Sequence, residues 1–206
     1  GFIGSHTIIE LYAAGYEVVV VDNLCNSCEE SLKRVSAMTE LLKFLETEKP
    51  IESVMNDFLA NCGGYLNASM AYVIKNKRDD STKMDIAAQW YAKGVEIVYE
   101  KTLSQTKFDF LEGSKPIILS GNSLDLGAKL AEWEYIPVNA VIAMPVLINR
   151  LTNEVEMYVV FFETKKKRNW TIDELQFVAD ASKVFQSILD KRIQKNSIAS
   201  SYVSLE

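Results

Sequence analysis

Cysteine and histidine, the side chains that supply most zinc sites and many catalytic nucleophiles and bases, are few in this chain. Cys25 and Cys28 form a C-x-x-C pair, the spacing of redox motifs and of half a zinc site. A structural zinc ion needs about four ligands, and the sequence adds only Cys62 and its single histidine, His6. We therefore interpret the paired thiols as unrelated loop residues and expect no metal site. A single imidazole also leaves little scope for catalysis of the Ser-His-Asp type, and we expect no catalytic residues.

A glycine-rich turn at the start of the sequence points to a second chemistry, nucleotide binding. Residues 1–7, GFIGSHT, are followed by a helical pattern that ends at Gly15 and by an apolar run at residues 18–21. Asp22 then stands about 20 residues past the glycines, where the dinucleotide fold places an acid on the ribose hydroxyl. If this site functions, a nicotinamide dinucleotide would be bound by Gly1, Gly4, Asp22 and Asn23.

Residues 1–35 resemble the extended short-chain dehydrogenases, and UDP-glucose 4-epimerases in particular, through GFIGSHT, AGYEVVVVDNL and SLKRV. That family has a strand before the glycine turn and a Tyr-x-x-x-Lys pair whose lysine lowers the pKa of the tyrosine. The strand is missing from this sequence. The Tyr-x-x-x-Lys pair is missing too, because Tyr72 with Lys75 and Tyr91 with Lys93 have the wrong spacing. We therefore interpret residues 1–35 as a truncated Rossmann-like epimerase fragment. The alternative is an epimerase remnant that still binds NAD.

Helical periodicity predicts three further helices. Apolar residues recur at helical spacing over 35–45, and again from Pro50 to Cys62, where Gly63 and Gly64 would end the second helix. The third would begin with the capping box of residues 171–174 and run towards Ile193.

Alternating patterns predict an antiparallel sheet between these helices. The segment at 95–111 is interpreted as helical, and a long turn at 149–153 would close the last hairpin. The predicted strands lie at residues 70–74, 84–90, 115–119, 138–148 and 155–162.

This order of elements, with AMPVLINRLTNEVEMYVVFF and NWTIDELQFVADASKVFQSIL, resembles the GAF domains over residues 36–195. The resemblance implies an α+β fold, a GAF-like antiparallel sheet flanked by helices, here with an N-terminal helix–strand appendage. Residues 196–206 would be a linker or tail. The resemblance to GAF domains also implies a non-catalytic, small-molecule-sensing domain of a bacterial signalling protein, with an output module such as a diguanylate cyclase outside this chain.

The ligand of such a domain would lie on one face of the sheet, under the loops. Aromatic residues with a polar tip suit a ring-bearing ligand, although aromatics also fill ordinary cores. A bilin would need a cysteine near the pocket, which Cys62 does not supply. The candidate ligand-binding residues are Trp90, Tyr99, Phe108, Trp133, Tyr135 and Met144.

Composition limits the partners. The chain has 206 residues, 48% of them apolar and 24% charged, with a net charge of −6. An acidic chain does not favour nucleic acid or an anionic membrane surface. No apolar run approaches the roughly 20 residues that span a bilayer, and no signal peptide is evident, so we expect a cytoplasmic protein. Extra apolar positions on the terminal helices predict a homodimer, and a pure dimerisation module with an empty pocket is a further possibility.

Overall fold

The computed structural model describes residues 7, 10–11, 13–18, 29–76, 83–95, 102–104, 111, 113–121, 138–149, 151–152 and 154–203. The helices within this part of the chain are α1 (Glu29–Lys43), α2 (Ile51–Leu66) and α3 (Ile172–Val203). The strands are β1 (Met70–Asn76), β2 (Lys83–Tyr91), β3 (Thr102–Ser104), β4 (Ile117–Leu119), β5 (Ala140–Ile148) and β6 (Val155–Glu163).

The strands form a six-stranded sheet in the order β3-β2-β1-β6-β5-β4, with antiparallel pairing throughout. Both predicted hairpins, β1–β2 and β5–β6, are present. Strands β1 and β6 pair at the centre, and their sequences MAYVIKN and VEMYVVFFE are nearly continuous apolar runs, as strands buried on both faces require. The predicted α+β fold with an antiparallel sheet and flanking helices is confirmed.

The sheet has two apolar faces. The helix face packs against the helices, and its strand residues include Ala71, Val73, Ala88, Ile142 and Phe161. The second face points the other way, and its residues include Met70, Tyr72, Ile74, Val160 and Phe162. Because side chains alternate along a strand, neighbouring residues of β1 serve opposite faces.

Aromatic contacts fix α2 against α3 over the helix face. The rings of Phe58 and Phe185 stack with their centroids 4.4 Å apart. At the end of α2, the ring centroid of Tyr65 lies 3.9 Å from that of Phe177. These four residues join the two helices into one layer.

The second half of α3 is held by the connection between α1 and α2. The ammonium of Lys191 donates to the Leu45 carbonyl at 2.8 Å, and the Arg192 guanidinium donates to the Lys49 carbonyl at 2.9 Å. The Lys191 contact places a cation just beyond the end of α1, where the helix dipole favours positive charge, and the Arg192 contact holds the chain just before α2.

The prediction that Gly63 and Gly64 end the second helix is wrong. Helix α2 continues to Leu66 and ends at Asn67, which has a left-handed φ of 49° and donates its amide to the Gly64 carbonyl. Gly63 has a packing role, because a Cβ there would lie 2.3 Å from Cζ3 of Trp90. A close tertiary contact therefore explains a glycine inside this helix.

Three further boundaries differ from the expectations. Residues 102–104 form β3 and not part of a helix over 95–111, because they pair with the edge of β2. Helix α3 extends past Ile193 to Val203, so residues 196–203 of the expected linker or tail are helical. Helix α1 begins at Glu29 and spans Val35. The boundary between the stretch that resembles the epimerases and the stretch that resembles the GAF domains therefore lies inside a continuous helix.

The described part of the N-terminal appendage contains the predicted helix. Residues 10, 11 and 13 are helical, and the Ala14 amide donates to the Glu10 carbonyl at 3.0 Å. Gly15 follows with φ of 85°, a conformation that ends helices and favours glycine. The strand expected at 18–21 lies, beyond Val18, outside the described residues.

Candidate functional site

Two tyrosines place hydroxyl groups inside the apolar second face. Tyr72 of β1 and Tyr91 at the end of β2 have hydroxyl oxygens 3.0 Å apart, and their rings meet edge to face with centroids 5.9 Å apart. Phe162 contacts the Tyr72 ring with a centroid distance of 5.7 Å. The Tyr91 hydroxyl can donate to Oε1 of Gln89 at 3.4 Å and the Tyr72 hydroxyl to Sδ of Met70 at 3.5 Å, so either tyrosine can be the donor in the hydrogen bond between them. This polar path leads from a buried ring to an exposed amide.

The environment of Tyr72 keeps its hydroxyl protonated. Burial raises the pKa of Tyr72 far above its ordinary value of 10.0, and the hydrogen bond with Tyr91 raises it further. A neutral hydroxyl both donates and accepts hydrogen bonds, whereas a phenolate would serve as a base. Tyr72 is therefore suited to binding a polar group and not to removing a proton.

Tyr158 fixes the segment that precedes β4 onto the second face. Its hydroxyl donates to the Gly113 carbonyl at 3.0 Å and shares the contact with the Leu111 carbonyl at 3.3 Å. Leu111 is buried in the second-face cluster. The tyrosine thus satisfies the backbone of a loop that crosses an apolar surface.

Asn76 carries an unsatisfied acceptor at the end of β1. Its Nδ2 donates to the Val155 carbonyl at 2.7 Å. Its Oδ1 is buried and has no hydrogen-bond partner within the described ranges. Since a buried acceptor without a donor costs about 1–3 kcal/mol, a ligand N–H or O–H at this atom would recover that cost.

The structure does not bring Trp90 and Met144 together as one site. Trp90 of β2 lies on the helix face, where its ring covers Gly63. Met144 of β5 is also on the helix face, beside α3. Strands β1 and β6 separate β2 from β5, which places the two residues about 14 Å apart across the sheet. Both point away from the tyrosine pair.

The remaining candidates fall outside the part of the chain that the structure describes. They are Tyr99, Phe108, Trp133 and Tyr135, together with Gly1, Gly4, Asp22 and Asn23 of the alternative nucleotide site. The sequence did contain a signal for Tyr72, which is the polar-tipped member of the alternating set in β1. Its significance depends on knowing which face that set occupies.

Comparison with solved structures identifies the architecture. The GAF domain of A. Aeolicus nlh2, in an inactive state, matches with a TM-score of 0.53 and 16% identity, over 80% of this chain and 99% of that one. The phycoerythrobilin-bound GAF domain of a cyanobacterial phytochrome matches with a TM-score of 0.60 and 14% identity, over 85% of this chain and 100% of that one. This chain has the GAF fold. No family model matches the sequence.

Sequence comparison finds a second, shorter similarity. The chain is 62% identical over 39 residues to UDP-glucose 4-epimerase of Haemophilus influenzae, which covers 19% of this chain and 12% of that enzyme. It is 49% identical over 49 residues to bifunctional protein gal10 of Schizosaccharomyces pombe, which covers 23% of this chain and 7% of that protein. The chain therefore spans about a tenth of the length of these curated relatives. Both resemblances expected from the sequence are confirmed.

Arg168 joins the sheet of this GAF fold to the start of α3. Its guanidinium donates to the Leu66 carbonyl at 2.5 Å, lies 3.5 Å from Oε2 of the buried Glu163, and hydrogen-bonds Glu174. It also stacks over the Trp170 ring at 4.1 Å from the centroid. One side chain thus contacts the end of α2, the end of β6 and the first turn of α3.

Metal-binding clusters and membrane-spanning helices are both absent from the described ranges. No group of three His, Cys, Asp or Glu side chains there is arranged to hold a metal ion. None of the described helices combines the length and hydropathy that crossing a bilayer requires.

Proposed function

We propose that this chain is a small-molecule-sensing regulatory domain of a bacterial signalling protein, without catalytic activity of its own. The observation that carries the proposal is the hydroxyl pair of Tyr72 and Tyr91, set among the apolar and aromatic side chains of the second face. An apolar surface with a few fixed polar groups is the usual composition of a small-molecule site. A ring-bearing ligand with one polar substituent fits this chemistry.

The GAF fold supports the same proposal. The cyanobacterial phytochrome neighbour holds a phycoerythrobilin. Another neighbour is the GAF domain of an Acinetobacter phosphoenolpyruvate-protein phosphotransferase, at 10% identity. Identities this low leave the ligand to be argued from the side chains. The unsatisfied Oδ1 of Asn76 adds a second polar contact at the end of β1.

Binding at this face would be non-covalent. Cys62 lies in the helix-face core on the other side of the sheet, and burial raises the pKa of its thiol. A protonated, buried thiol is a poor nucleophile. The tyrosine hydroxyls and the Asn76 amide would then orient the ligand by hydrogen bonds.

A thermal-shift screen tests this function with the purified chain and panels of purines, flavins, pterins, indoles and biliverdin. A ligand at 100 times its dissociation constant adds about 2.7 kcal/mol and raises the melting temperature. Tyr72→Phe and Tyr91→Phe should each weaken that ligand by about fivefold, the worth of one neutral hydrogen bond. Tyr16→Phe, at an exposed position, is the matched control. The proposal fails if no compound class stabilises the chain, or if the hydroxyls make no difference.

Homodimerisation through α1 and α3 is part of the proposal. Leu32 and Val35 of α1 and Ile193 of α3 are exposed large apolar residues. Helix α3 continues to Val203, and none of its side chains from Asp190 to Lys195 is buried. An exposed helical segment is only marginally stable in water. Light scattering at micromolar concentration should give a dimer. A strictly monomeric protein at high concentration would refute this part.

The short matches to UDP-glucose 4-epimerases favour one other candidate, an NAD-dependent epimerase remnant that retains nucleotide binding. NAD and UDP-glucose should give no thermal shift if the sensor proposal holds. Stabilisation by NAD that disappears in Asp22→Ala would instead establish the remnant as the functional site.

A further inference from the structure

An apolar groove lies at the β4 edge of the sheet, on the helix face and away from the tyrosine pair. It encloses about 230 Å³ between β4, β5 and the first turns of α3. Its one polar side chain, Gln176, donates its amide to Oδ1 of Asp180 at 3.0 Å. The lining residues are Pro116, Ile118, Ile142, Met144, Ile172, Leu175, Gln176 and Ala179.

The groove leaves large apolar side chains in contact with water. Ile172, at the first position of α3, is 85% exposed, and Ile118, in the middle of β4, is 45% exposed. The cross-strand partner of Ile118 is Ile142, so both side chains project from the same face into the groove. Two exposed isoleucines beside one groove make it a candidate interaction surface.

The backbone next to the groove determines the shape of the occupant. Strand β4 is the last in the order of the sheet and pairs with β5 alone among the strands that the structure describes. The outer edge of such a strand offers N–H and C=O groups to an incoming extended chain. A small rounded molecule would fill the groove but would leave this edge unused.

The charges around the groove determine the chemistry of the occupant. Lys115 is exposed immediately before Pro116, at one end of β4. At the other end, a Cβ on Gly121 would lie 3.3 Å from the Cα of Lys167, which is exposed next to Lys166. None of the lining residues is acidic, and one exposed acid, Asp173, stands next to Ile172 in the first turn of α3. A partner with acidic residues on both sides of an apolar centre complements this pattern.

We propose that this groove is the docking site for an extended acidic peptide segment of a partner protein. The segment adds to β4 as a further strand and inserts an apolar side chain between Ile118 and Ile172. Its flanking carboxylates lie near Lys115 at one end and Lys167 at the other. The surface is independent of the proposed ligand site, which is on the opposite face of the sheet.

Fluorescence anisotropy with a labelled peptide tests the proposal on the full chain. The probe is acetyl-Glu-Glu-Ile-Thr-Ile-Glu-Glu-amide, which alternates in its centre and is acidic at both ends. One control peptide replaces every Glu with Lys, and the other is N-methylated at alternate backbone nitrogens, which removes strand pairing. We expect the probe to bind with a dissociation constant of about 10–100 μM and both controls to bind at least about tenfold more weakly.

Surface variants locate the binding site. Ile172→Asp should weaken the probe at least about tenfold, since it removes the exposed apolar contact and adds a repelling charge. This change should not unfold the chain, because an acid is favourable in the first turn of a helix. Leu151→Asp is the matched control, because Leu151 is 96% exposed in the β5–β6 turn, and it should change binding less than about twofold. The double variant Lys115→Glu with Lys167→Glu should reverse the preference between the Glu and Lys peptides.

Several results would overturn this inference. Absence of probe binding at about 1 mM would do so, as would equal binding of the N-methylated peptide. A self-association that Ile172→Asp abolishes would also do so, because the occupant would then be a second copy of the chain. Each of these results leaves the ligand screen on the second face unaffected.

Discussion

The guanidinium of Arg34 donates to Oδ2 of Asp180 at 2.9 Å and so ties α1 to α3. The two side chains are 13% and 3% exposed, which makes this a largely buried ion pair. The second carboxylate oxygen of Asp180 accepts a hydrogen bond from Gln176. Arg34 is one residue before Val35, within the stretch that resembles the epimerases, so a residue of that stretch contributes to the GAF fold.

Loss of Arg34 should therefore destabilise the domain. Arg34→Met leaves a buried carboxylate without its cation, and we expect the free energy of unfolding to fall by about 3 kcal/mol. Lys43→Met removes an exposed pair with Glu40 and should cost less than about 1 kcal/mol. Urea denaturation followed by circular dichroism measures both values.

The same ion pair predicts where the chain can be shortened. Deletion of residues 1–28 keeps α1 whole and should leave a cooperative melting curve close to that of the full chain. Deletion of residues 1–34 removes Arg34 and should lower the midpoint as Arg34→Met does. Equal melting temperatures for the two truncations would contradict the structural role of Arg34 and would favour a domain boundary at residue 35.

Two adjacent glycines of α2 should respond oppositely to alanine. In Gly63→Ala the new methyl meets the Trp90 ring, and we expect a loss of about 1–3 kcal/mol from overpacking. A Cβ on Gly64 has no heavy atom within 4 Å, so Gly64→Ala should stabilise the helix by about 0.5–1 kcal/mol. Thermal unfolding measures the stability of both single variants. The double variant Gly63→Ala with Trp90→Leu should restore part of the stability that Gly63→Ala loses.

Features fixed by neighbouring residues could be predicted from the sequence. The capping box of α3 is present, because the Glu174 amide donates to Oγ1 of Thr171 at 3.2 Å and the Thr171 amide donates to the Glu174 carboxylate at 2.8 Å. The long β5–β6 turn is also present, with Oδ1 of Asn149 accepting from the Leu151 amide at 2.9 Å. Such contacts span a few residues, so residue type and spacing determine them.

Features that depend on distant contacts could not be predicted in this way. Glycine is typical of helix ends, and the close contact with the Trp90 ring explains why Gly63 lies inside the helix. The aromatic character of Trp90 suggested a ligand contact, but the register of β2 places the ring on the helix face. Tyr72 belongs to the opposite face for the same reason, and a one-residue shift in register would exchange the two faces.

Stability at high pH should depend on Tyr72. The pKa of its hydroxyl is raised in the folded state, so above pH 10 the unfolded chain loses a proton that the folded chain keeps. The stabilisation is fully present below the unfolded pKa near 10 and falls by about 1.4 kcal/mol for each pH unit above it. Tyr72→Phe should remove only the Tyr72 share of this fall, because burial also raises the pKa values of Cys62 and Tyr65. Tyr16→Phe should retain the whole of it. Denaturation curves at pH 8 to 11 would contradict the assignment if both variants gave the same slope.

The junction at Arg168 should be the most sensitive position at the start of α3. Arg168→Ala removes the donor to the Leu66 carbonyl and leaves the buried Glu163 carboxylate with two uncharged donors, the Ser69 hydroxyl and the Lys165 backbone amide. We expect a loss of about 3–5 kcal/mol, against about 1 kcal/mol for Thr171→Ala, which removes only the helix cap. Arg168→Lys keeps the charge but cannot reach several acceptors in one plane, so it should recover less than half of the loss.

Because Arg168 and Thr171 both contact Glu174, the double variant should cost less than the sum of the single ones. Additive losses in urea titrations, or full rescue by lysine, would mean that the guanidinium acts as a simple surface charge and does not connect the sheet to α3.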